Sequence, residues 1–240
     1  MRLLVTRPEP EAQRTAAALR ALGHDVLVMP MLRIEVVADA DLGIGPFGAL
    51  VITSANGARA IAGHRRRHEL ISLPVFVVGR RTGDAARAAG FDQVTSADGD
   101  AAVLAQVVIK HLSPPPAPLL YLTGEDHTGE IEASLARHGF SVRTVIVYRA
   151  IAAASLSQQV EAALRGDEID GALHFSQRSV QALLTAGKAA GLLDNIMRMR
   201  NYCLSAQVAA ALQDTATGAI GVAERPDEES LIALVGPSRH

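Results

Sequence analysis

The chain has 240 residues, of which 49% are hydrophobic and 20% are charged, a composition typical of a folded globular protein. Its formal net charge of −2 offers no general attraction for nucleic acids or acidic membranes, so an anionic ligand needs local donors. The lone cysteine, Cys203, excludes a disulfide framework and is typical of the cytoplasm. The first apolar run is too short for a signal peptide, and no stretch approaches the ~18–20 apolar residues of a membrane span.

Short apolar runs alternate along the chain with Ala-rich helical stretches, a pattern typical of βα units on parallel sheets. Uninterrupted runs such as ALVIT and PVFVV predict strands that helices cover on both faces. Gly23 and Gly139 each follow a helical stretch, where a left-handed C-cap is expected. In chain order the predicted strands are LLVT, DVLVMP, ALVIT, PVFVV, DQVTS, PLLYLT, SVRTVIVY, GALHF, NYCLS and AIGVA.

An internal repeat organises these elements. Residues 3–33 align without a gap with residues 119–149. Three further segments match in the same order: 49–61 with 171–183, 74–86 with 200–212, and 93–100 with 220–227. The repeat predicts two similar doubly wound parallel-sheet (flavodoxin-like) α/β domains. One is discontinuous, 1–35 plus 155–240, and the other, 47–148, is inserted in it.

Two apolar segments, 26–37 and 142–153, occupy matching positions in the repeat and are longer than the other predicted strands. We interpret both as continuous strands that cross between the domains, with crossover linkers at 30–40 and 146–154. Side by side they would form a two-stranded linker. Two domains joined in this way predict an inter-domain cleft, where we expect the active site.

Other motifs point away from several common chemistries. The run GIGPFG at 43–48 fits a dinucleotide-binding pattern, but it precedes a strand and contains Pro46, so it is interpreted as a loop. No G-x-S-x-G elbow occurs, and the histidines are scattered, so acyl transfer and catalytic zinc are not expected. The basic run at 64–69 has no aromatic neighbours, and nucleic-acid binding is not expected.

Small polar residues follow the predicted strands where helices begin. Taken singly, each is explained by helix N-capping, in which a side-chain oxygen accepts from a first-turn amide. Taken together they would line the carboxyl edges of the sheets, where helix starts attract carboxylates and phosphates. The junctions are Thr6-Arg7-Pro8, Thr53-Ser54-Ala55-Asn56, Gly79 to Thr82, Thr123-Gly124, Ser176-Gln177-Arg178 and Ser205-Ala206-Gln207.

Tyr148 breaks the repeat, because its counterpart is Leu32. A tyrosine in a strand is commonly a packing residue with its hydroxyl at the rim. A phenol, with an ordinary pKa of about 10, can also donate a proton at neutral pH. Both interpretations are compatible with the position of Tyr148 at the end of the inserted domain.

Several motifs occur here in a characteristic order: TRP after the first strand, VITSANGARA, VVGRRTGDAARAAGF, the GFSV segment that ends in VYR, and FSQRSV. With them, the chain resembles the uroporphyrinogen-III synthase family over essentially its whole length. The resemblance implies a hydro-lyase of tetrapyrrole (haem) biosynthesis. It would cyclise hydroxymethylbilane, with loss of water and inversion of ring D, to uroporphyrinogen III. It also implies no cofactor, no metal, and a cytoplasmic monomer, with room for transient contact with the preceding pathway enzyme.

The resemblance also assigns site residues. Tyr148 matches the tyrosine proposed to assist departure of the hydroxyl as a general acid. Ser205-Ala206-Gln207 replaces the family's Gly-x-Thr-Thr, and Thr123-Gly124 replaces Arg-Gly, so Ser205 or Gln207 would stand in for a hydroxyl. The expected substrate-binding residues are Arg7, Ser54, Asn56, Thr82, Gly124, Ser176, Ser205 and Gln207.

Two other functions remain open from the sequence alone. A non-catalytic bilobal protein that binds a small anionic ligand would share the cleft and the helix starts but would not need Tyr148. An enzyme that uses a nucleotide at a doubly wound edge is disfavoured, because the chain has no phosphate loop.

Overall fold

The computed structural model describes residues 1–114, 117–212 and 216–238. The chain divides into two compact units. Unit 1 consists of Met1–Arg33 and Ile151–His240, and unit 2 consists of Ile34–Ala150.

Strands and helices alternate along the described residues, as the sequence predicts. The strands are β1 (Arg2–Val5), β2 (Asp25–Val28), β3 (Leu32–Val36), β4 (Leu50–Ile52), β5 (Val75–Val77), β6 (Val94–Ser96), β7 (Leu119–Gly124), β8 (Val142–Ala152), β9 (Gly171–His174), β10 (Arg200–Cys203) and β11 (Ile220–Val222). The helices are α1 (Glu11–Ala21), α2 (Ala55–Ala62), α3 (Arg67–Leu70), α4 (Arg80–Ala88), α5 (Ala101–His111), α6 (Glu130–Ala136), α7 (Gln158–Arg165), α8 (Gln177–Ala189), α9 (Leu193–Arg198), α10 (Ala206–Ala210) and α11 (Glu228–Val235).

The sheet of unit 1 has the strand order β11-β10-β9-β1-β2, and all its neighbouring strands are parallel. Leu3 and Val5 of β1 pack with residues of α1 and α11 in one buried cluster. Leu4 and Ala172 lie on the opposite face of the sheet, because neighbouring residues of a strand alternate between its two faces, and both are fully buried. The central strands are therefore apolar on both sides, as the uninterrupted runs predict.

The sheet of unit 2 has the order β3-β8-β7-β4-β5-β6, and β8 through β6 are parallel. Leu50 and Ile52 pack with residues of α2 and α4, whereas Val51 and Phe76 pack with residues of α5 and α6. When the additional edge strand β3 is left out and β7 is counted as the first strand of the repeat, both sheets have the order 2-1-3-4-5. This is the flavodoxin-like doubly wound topology that the sequence predicts.

One predicted strand is wrong in detail. The segment 26–37 is divided into β2 and β3 rather than continuous. The division falls at Pro30, which has no N–H to donate to a neighbouring strand. Met29 and Met31 on either side donate to the carbonyls of Val5 and Thr6, at 2.9 Å each. The segment 142–153 forms the single long strand β8, which is the neighbour of β3 in the sheet.

The two predicted glycine C-caps are confirmed. Gly23, after α1, has a φ of 86°, and Gly139, after α6, has a φ of 83°. Side chains rarely adopt this left-handed conformation, which lets the chain leave the helix and enter the next strand.

A buried histidine lies at the end of β9. His174 has no exposed surface, and its Nε2 donates to Oδ1 of Asn201 over 3.0 Å. Its Nδ1 is buried and has no hydrogen bond among the described residues. Burial lowers the pKa of His174 from 6.5 to about 4, and the hydrogen bond with Asn201 only partly opposes this effect.

We expect acid to destabilise the fold through His174. Between pH 6.5 and about 4 the unfolded chain binds a proton that the folded chain does not bind at this residue. The contribution of neutral His174 to the free energy of unfolding is therefore fully present above pH 6.5. It falls as the pH approaches 4, by at most ~1.4 kcal/mol per pH unit. Urea unfolding of the wild type and of His174→Gln across this window measures the effect. The substitution should flatten the pH dependence, whereas the exposed-residue control His138→Gln should not. Equal pH slopes in the wild type and His174→Gln would contradict the assignment.

Candidate functional site

The predicted residues of unit 2 lie at the carboxyl ends of its parallel strands. Ser54 follows β4, Gly79 follows β5, Gly124 ends β7, and Tyr148 lies in β8 beside Gly124. Because carboxyl ends of neighbouring parallel strands meet at one edge, the fold brings these positions together there.

The pairing of β7 with β8 is irregular at this edge. Thr123 is opposite Ile146, but Gly124 is opposite Tyr148, so Val147 has no counterpart in β7. Such a β-bulge increases the local twist and re-aims the side chains that follow it. The bulge thus sets the direction of Tyr148 at the end of the β7–β8 pair.

The ring of Tyr148 lies directly against Gly124. A Cβ atom added to Gly124 would be 2.6 Å from Cζ of Tyr148 and 2.9 Å from its phenol oxygen. Tyr148 is half-buried and packs against the apolar cluster of α2 and α4. The absence of a side chain at Gly124 therefore provides the space that the tyrosine ring occupies.

A cluster of hydroxyl groups lies at the same strand ends. The Tyr121 hydroxyl is 3.1 Å from Oγ1 of Thr53 and 3.2 Å from Oγ1 of Thr123. The rings of Tyr121 and His127 are nearly perpendicular, at 85°, with centroids 6.1 Å apart. No sequence pattern points to Tyr121 or His127, because strand pairing and loop geometry bring them to this edge.

The helix starts of unit 2 differ in how they are capped. Ser54 accepts from the backbone N–H of Asn56 over 3.2 Å, and within the described ranges its own hydroxyl hydrogen has no acceptor. The start of α4 follows Gly79, which has no side chain to cap it. Thr82, in the first turn of α4, is only 4% exposed. The backbone N–H groups in the first turns of α2 and α4 are thus better placed to bind a ligand than the buried hydroxyl of Thr82.

In unit 1 the expected hydroxyls are also N-caps. Ser176 accepts from the N–H of Ser179 over 3.2 Å and begins α8. Ser205 accepts from the N–H of Val208 over 3.4 Å and begins α10. Gln207 is exposed in the first turn of α10. These three residues follow β9 and β10, at the carboxyl edge of the sheet of unit 1.

Arg7 is held inside unit 1. Its Nη1 is 3.1 Å from Oε1 of Glu228, and it also donates to Oγ1 of Thr15 over 3.2 Å. The guanidinium lies 4.0 Å from the centroid of the Phe175 ring, and Arg7 is 9% exposed. These contacts connect the end of β1 to the first turn of α11, so Arg7 stabilises the carboxyl edge of the sheet of unit 1 from the interior of that unit.

Two features bear on metal binding and thiol chemistry. His64 and His68 have the four-residue spacing of some metal ligands, but Nε2 of His64 faces the Ala40 carbonyl at 3.0 Å, and its Nδ1 accepts from Arg66 N–H at 3.2 Å. In the described ranges no group of three His, Cys, Asp or Glu residues is placed to hold a metal ion. Burial raises the pKa of the Cys203 thiol to about 11, so Cys203 remains protonated.

No helix within residues 1–114, 117–212 and 216–238 is both long and apolar enough to cross a membrane.

The fold and its polar edges define an α/β protein of two flavodoxin-like units with helix starts at their strand ends and, in unit 2, Tyr148 beside the end of β7. A family model described as uroporphyrinogen-III synthase HemD matches residues 13–233. The chain therefore belongs to the uroporphyrinogen-III synthase family and is an enzyme of tetrapyrrole biosynthesis. This confirms the resemblance seen in the sequence, and nothing favours the alternative of a non-catalytic binding protein.

Solved structures agree with this assignment at the level of the fold. Uroporphyrinogen-III synthetase from Helicobacter pylori is 17% identical, with a TM-score of 0.68 over 98% of both chains. A mutant uroporphyrinogen III synthase from the extremely thermophilic bacterium Thermus thermophilus is 16% identical, with a TM-score of 0.54 over 97% of this chain and 96% of that one. No curated protein matches the sequence.

We expect Gly124→Ala to displace the ring of Tyr148. The added Cβ would be 2.6 Å from Cζ of the ring, so the tyrosine must move away from its present position. Synthase turnover should fall about tenfold or more, since misplacement of about 1 Å can cost that much or more. Steady-state kinetics test this, with Gly63→Ala as the control, because a Cβ there meets no described atom within 4 Å. Wild-type turnover in Gly124→Ala would show that the contact is unimportant.

Proposed function

We propose that Tyr148 donates the proton with which the terminal hydroxyl of hydroxymethylbilane departs as water. The contact between Tyr148 and Gly124, described above, is the observation that carries this proposal. It fixes a half-buried phenol at the carboxyl edge of the sheet, where doubly wound proteins bind their ligands. A phenol remains protonated at neutral pH and can donate a hydrogen without first acquiring a charge.

The proton balance of the reaction fits such a donor. Departure of the hydroxyl as water leaves an electrophilic azafulvene, which reacts through a spiro intermediate to invert ring D and close the macrocycle. The overall conversion to uroporphyrinogen III releases water and no net proton. A proton given to the leaving hydroxyl is therefore recovered from the pyrrole system before the next turnover.

The substrate carries many carboxylates, and we propose that helix starts hold them. The first turns of α2, α8 and α10 present backbone amides beside Ser54, Ser176 and Ser205. Asn56 and Gln207 add side-chain amides in those turns. A chain with a net charge of −2 can bind a polyanion in this way, because the partial positive charges are local.

Arg7 and Thr82 have a different role in this proposal. Both are buried, Arg7 in its ion pair with Glu228 and Thr82 in the first turn of α4. They support the backbone that faces the substrate. Gly124 likewise contributes through its backbone and the space above it.

We further propose that the enzyme acts in the cytoplasm as a monomer. The buried, protonated thiol of Cys203 suits a protein that forms no disulfide. Size-exclusion chromatography with light scattering tests the oligomeric state directly.

We expect Tyr148→Phe to lower turnover at least tenfold and to leave substrate or product binding largely intact. The substitution keeps the ring on Gly124 and removes only the proton donor. The assay supplies hydroxymethylbilane and separates the I and III isomers of uroporphyrinogen by chromatography.

Tyr202→Phe is the matched control. Tyr202 is a buried strand tyrosine of unit 1, and its hydroxyl makes no hydrogen bond within the described part of the chain. Full activity of Tyr148→Phe would remove Tyr148 from the mechanism. If the wild type formed only isomer I, the spontaneous product, the chain would not be a synthase.

Substitutions of Ser54 separate capping from substrate binding. Ser54→Ala should cost about 1 kcal/mol of stability, because the N-cap acceptor is lost. Ser54→Asp keeps a capping acceptor but removes the hydroxyl donor and adds a negative charge toward the substrate carboxylates. We therefore expect Ser54→Asp to be the more stable variant and to have the higher KM, several-fold above that of the wild type. Thermal unfolding and steady-state kinetics measure both quantities, and an unchanged KM in Ser54→Asp would exclude a carboxylate at this helix start.

A further inference from the structure

We infer that His127 is a positioning residue for Tyr148: it fixes the Gly124–Glu125 peptide on which the tyrosine lies. The effect on activity depends on the proposed role of Tyr148, whereas the effect on the position of the ring does not. His127 lies in the loop between β7 and α6, three residues after Gly124.

The peptide group between Gly124 and Glu125 is held at both of its polar atoms. Its carbonyl oxygen is 3.2 Å from Nδ1 of His127, and its N–H donates to the Tyr148 carbonyl over 3.2 Å. The ring of Tyr148 lies against Gly124 on the same segment. Rotation of this peptide would therefore break the backbone contact with Tyr148 and change the surface that supports its ring.

His127 is itself fixed by groups on two other elements. Its Nε2 is 3.3 Å from Oε1 of Glu132 in α6, and Thr144 of β8 donates to the same oxygen over 2.9 Å. The side chains of His127 and Glu132 are only 25% and 22% exposed. The connections thus run from Gly124 through His127, Glu132 and Thr144 to β8, the strand that carries Tyr148.

The two ring nitrogens of His127 have separate partners, and both partners are hydrogen-bond acceptors. A carbonyl oxygen can only accept, so Nδ1 carries the hydrogen that is donated to Gly124. The other nitrogen faces the Glu132 carboxylate. The two contacts can therefore be removed separately, because an asparagine amide nitrogen reaches about as far as Nδ1 and a glutamine amide nitrogen about as far as Nε2.

The test compares His127→Asn with His127→Gln in the full chain. The Asn variant retains a donor for the Gly124 carbonyl and loses the Glu132 contact, and the Gln variant does the reverse. The chain has three tyrosines, so ring signals of ¹³C-labelled tyrosine can be assigned with single Tyr→Phe variants. Tyr121, whose ring faces His127, provides an internal reference that should respond to both substitutions.

We expect the Tyr148 ring signal to stay near its wild-type position in His127→Asn and to move in His127→Gln. Turnover should remain within about twofold in His127→Asn and fall roughly tenfold to a hundredfold in His127→Gln, with KM little changed, since misplacement of about 1 Å has effects of this size. Such a split between kcat and KM, together with rescue by asparagine, would not follow from a general loss of stability.

An unchanged Tyr148 signal in a folded His127→Gln variant overturns the inference. If that variant does not fold, His127→Ala decides, because it also removes the donor to the Gly124 carbonyl and should move the same signal. An unmoved signal there overturns the inference as well. Full activity of Tyr148→Phe would refute the proposed general acid, while the ring signals would still report whether His127 holds the tyrosine in place.

Discussion

The structure depends on the burial of its central strands on both faces. β4, β5, β7 and β9 are buried at every position, because helices cover both sides of each sheet. A polar group within these strands would need a partner in the interior, as His174 finds in Asn201. Polar chemistry is therefore confined to strand ends, where the chain turns into helices and first-turn amides remain available. The candidate site lies there for this reason.

The two units share this topology but use it for different purposes. At the end of β1, Arg7 pairs with Glu228 and stacks on Phe175, so its charge is used inside the unit. At the end of the matching strand β7, Gly124 has no side chain, and the space is occupied by Tyr148. The repeat thus produces equivalent strand topologies, and differences between a few side chains decide which edge carries a tyrosine.

Much of the fold could be predicted from local sequence, since apolar runs, N-cap serines and glycine C-caps act over a few residues. Pro30 was the local signal for the break between β2 and β3, but the apolar residues around it favoured one strand. The site was harder to predict because its contacts join distant residues. Arg7 and Glu228 are 221 positions apart, and the contact between Gly124 and Tyr148 depends on a bulge that moves the register by one residue. The sequence shows that the family's arginine before Gly124 is replaced, but it does not show that glycine is needed there to make room for the Tyr148 ring.

Contacts made by backbone amides tolerate changes of sequence better than contacts that need a particular side chain. A carboxylate held by backbone amides needs a helix start, and Ser205-Ala206-Gln207 provides one although it departs from the family pattern. The position of Tyr148 has no such freedom, because any Cβ at Gly124 overlaps the ring and the Gly124 carbonyl has a specific donor in His127. Under the role proposed for Tyr148, the strictest requirements on side chains lie at Gly124, Tyr148 and the residues that hold them.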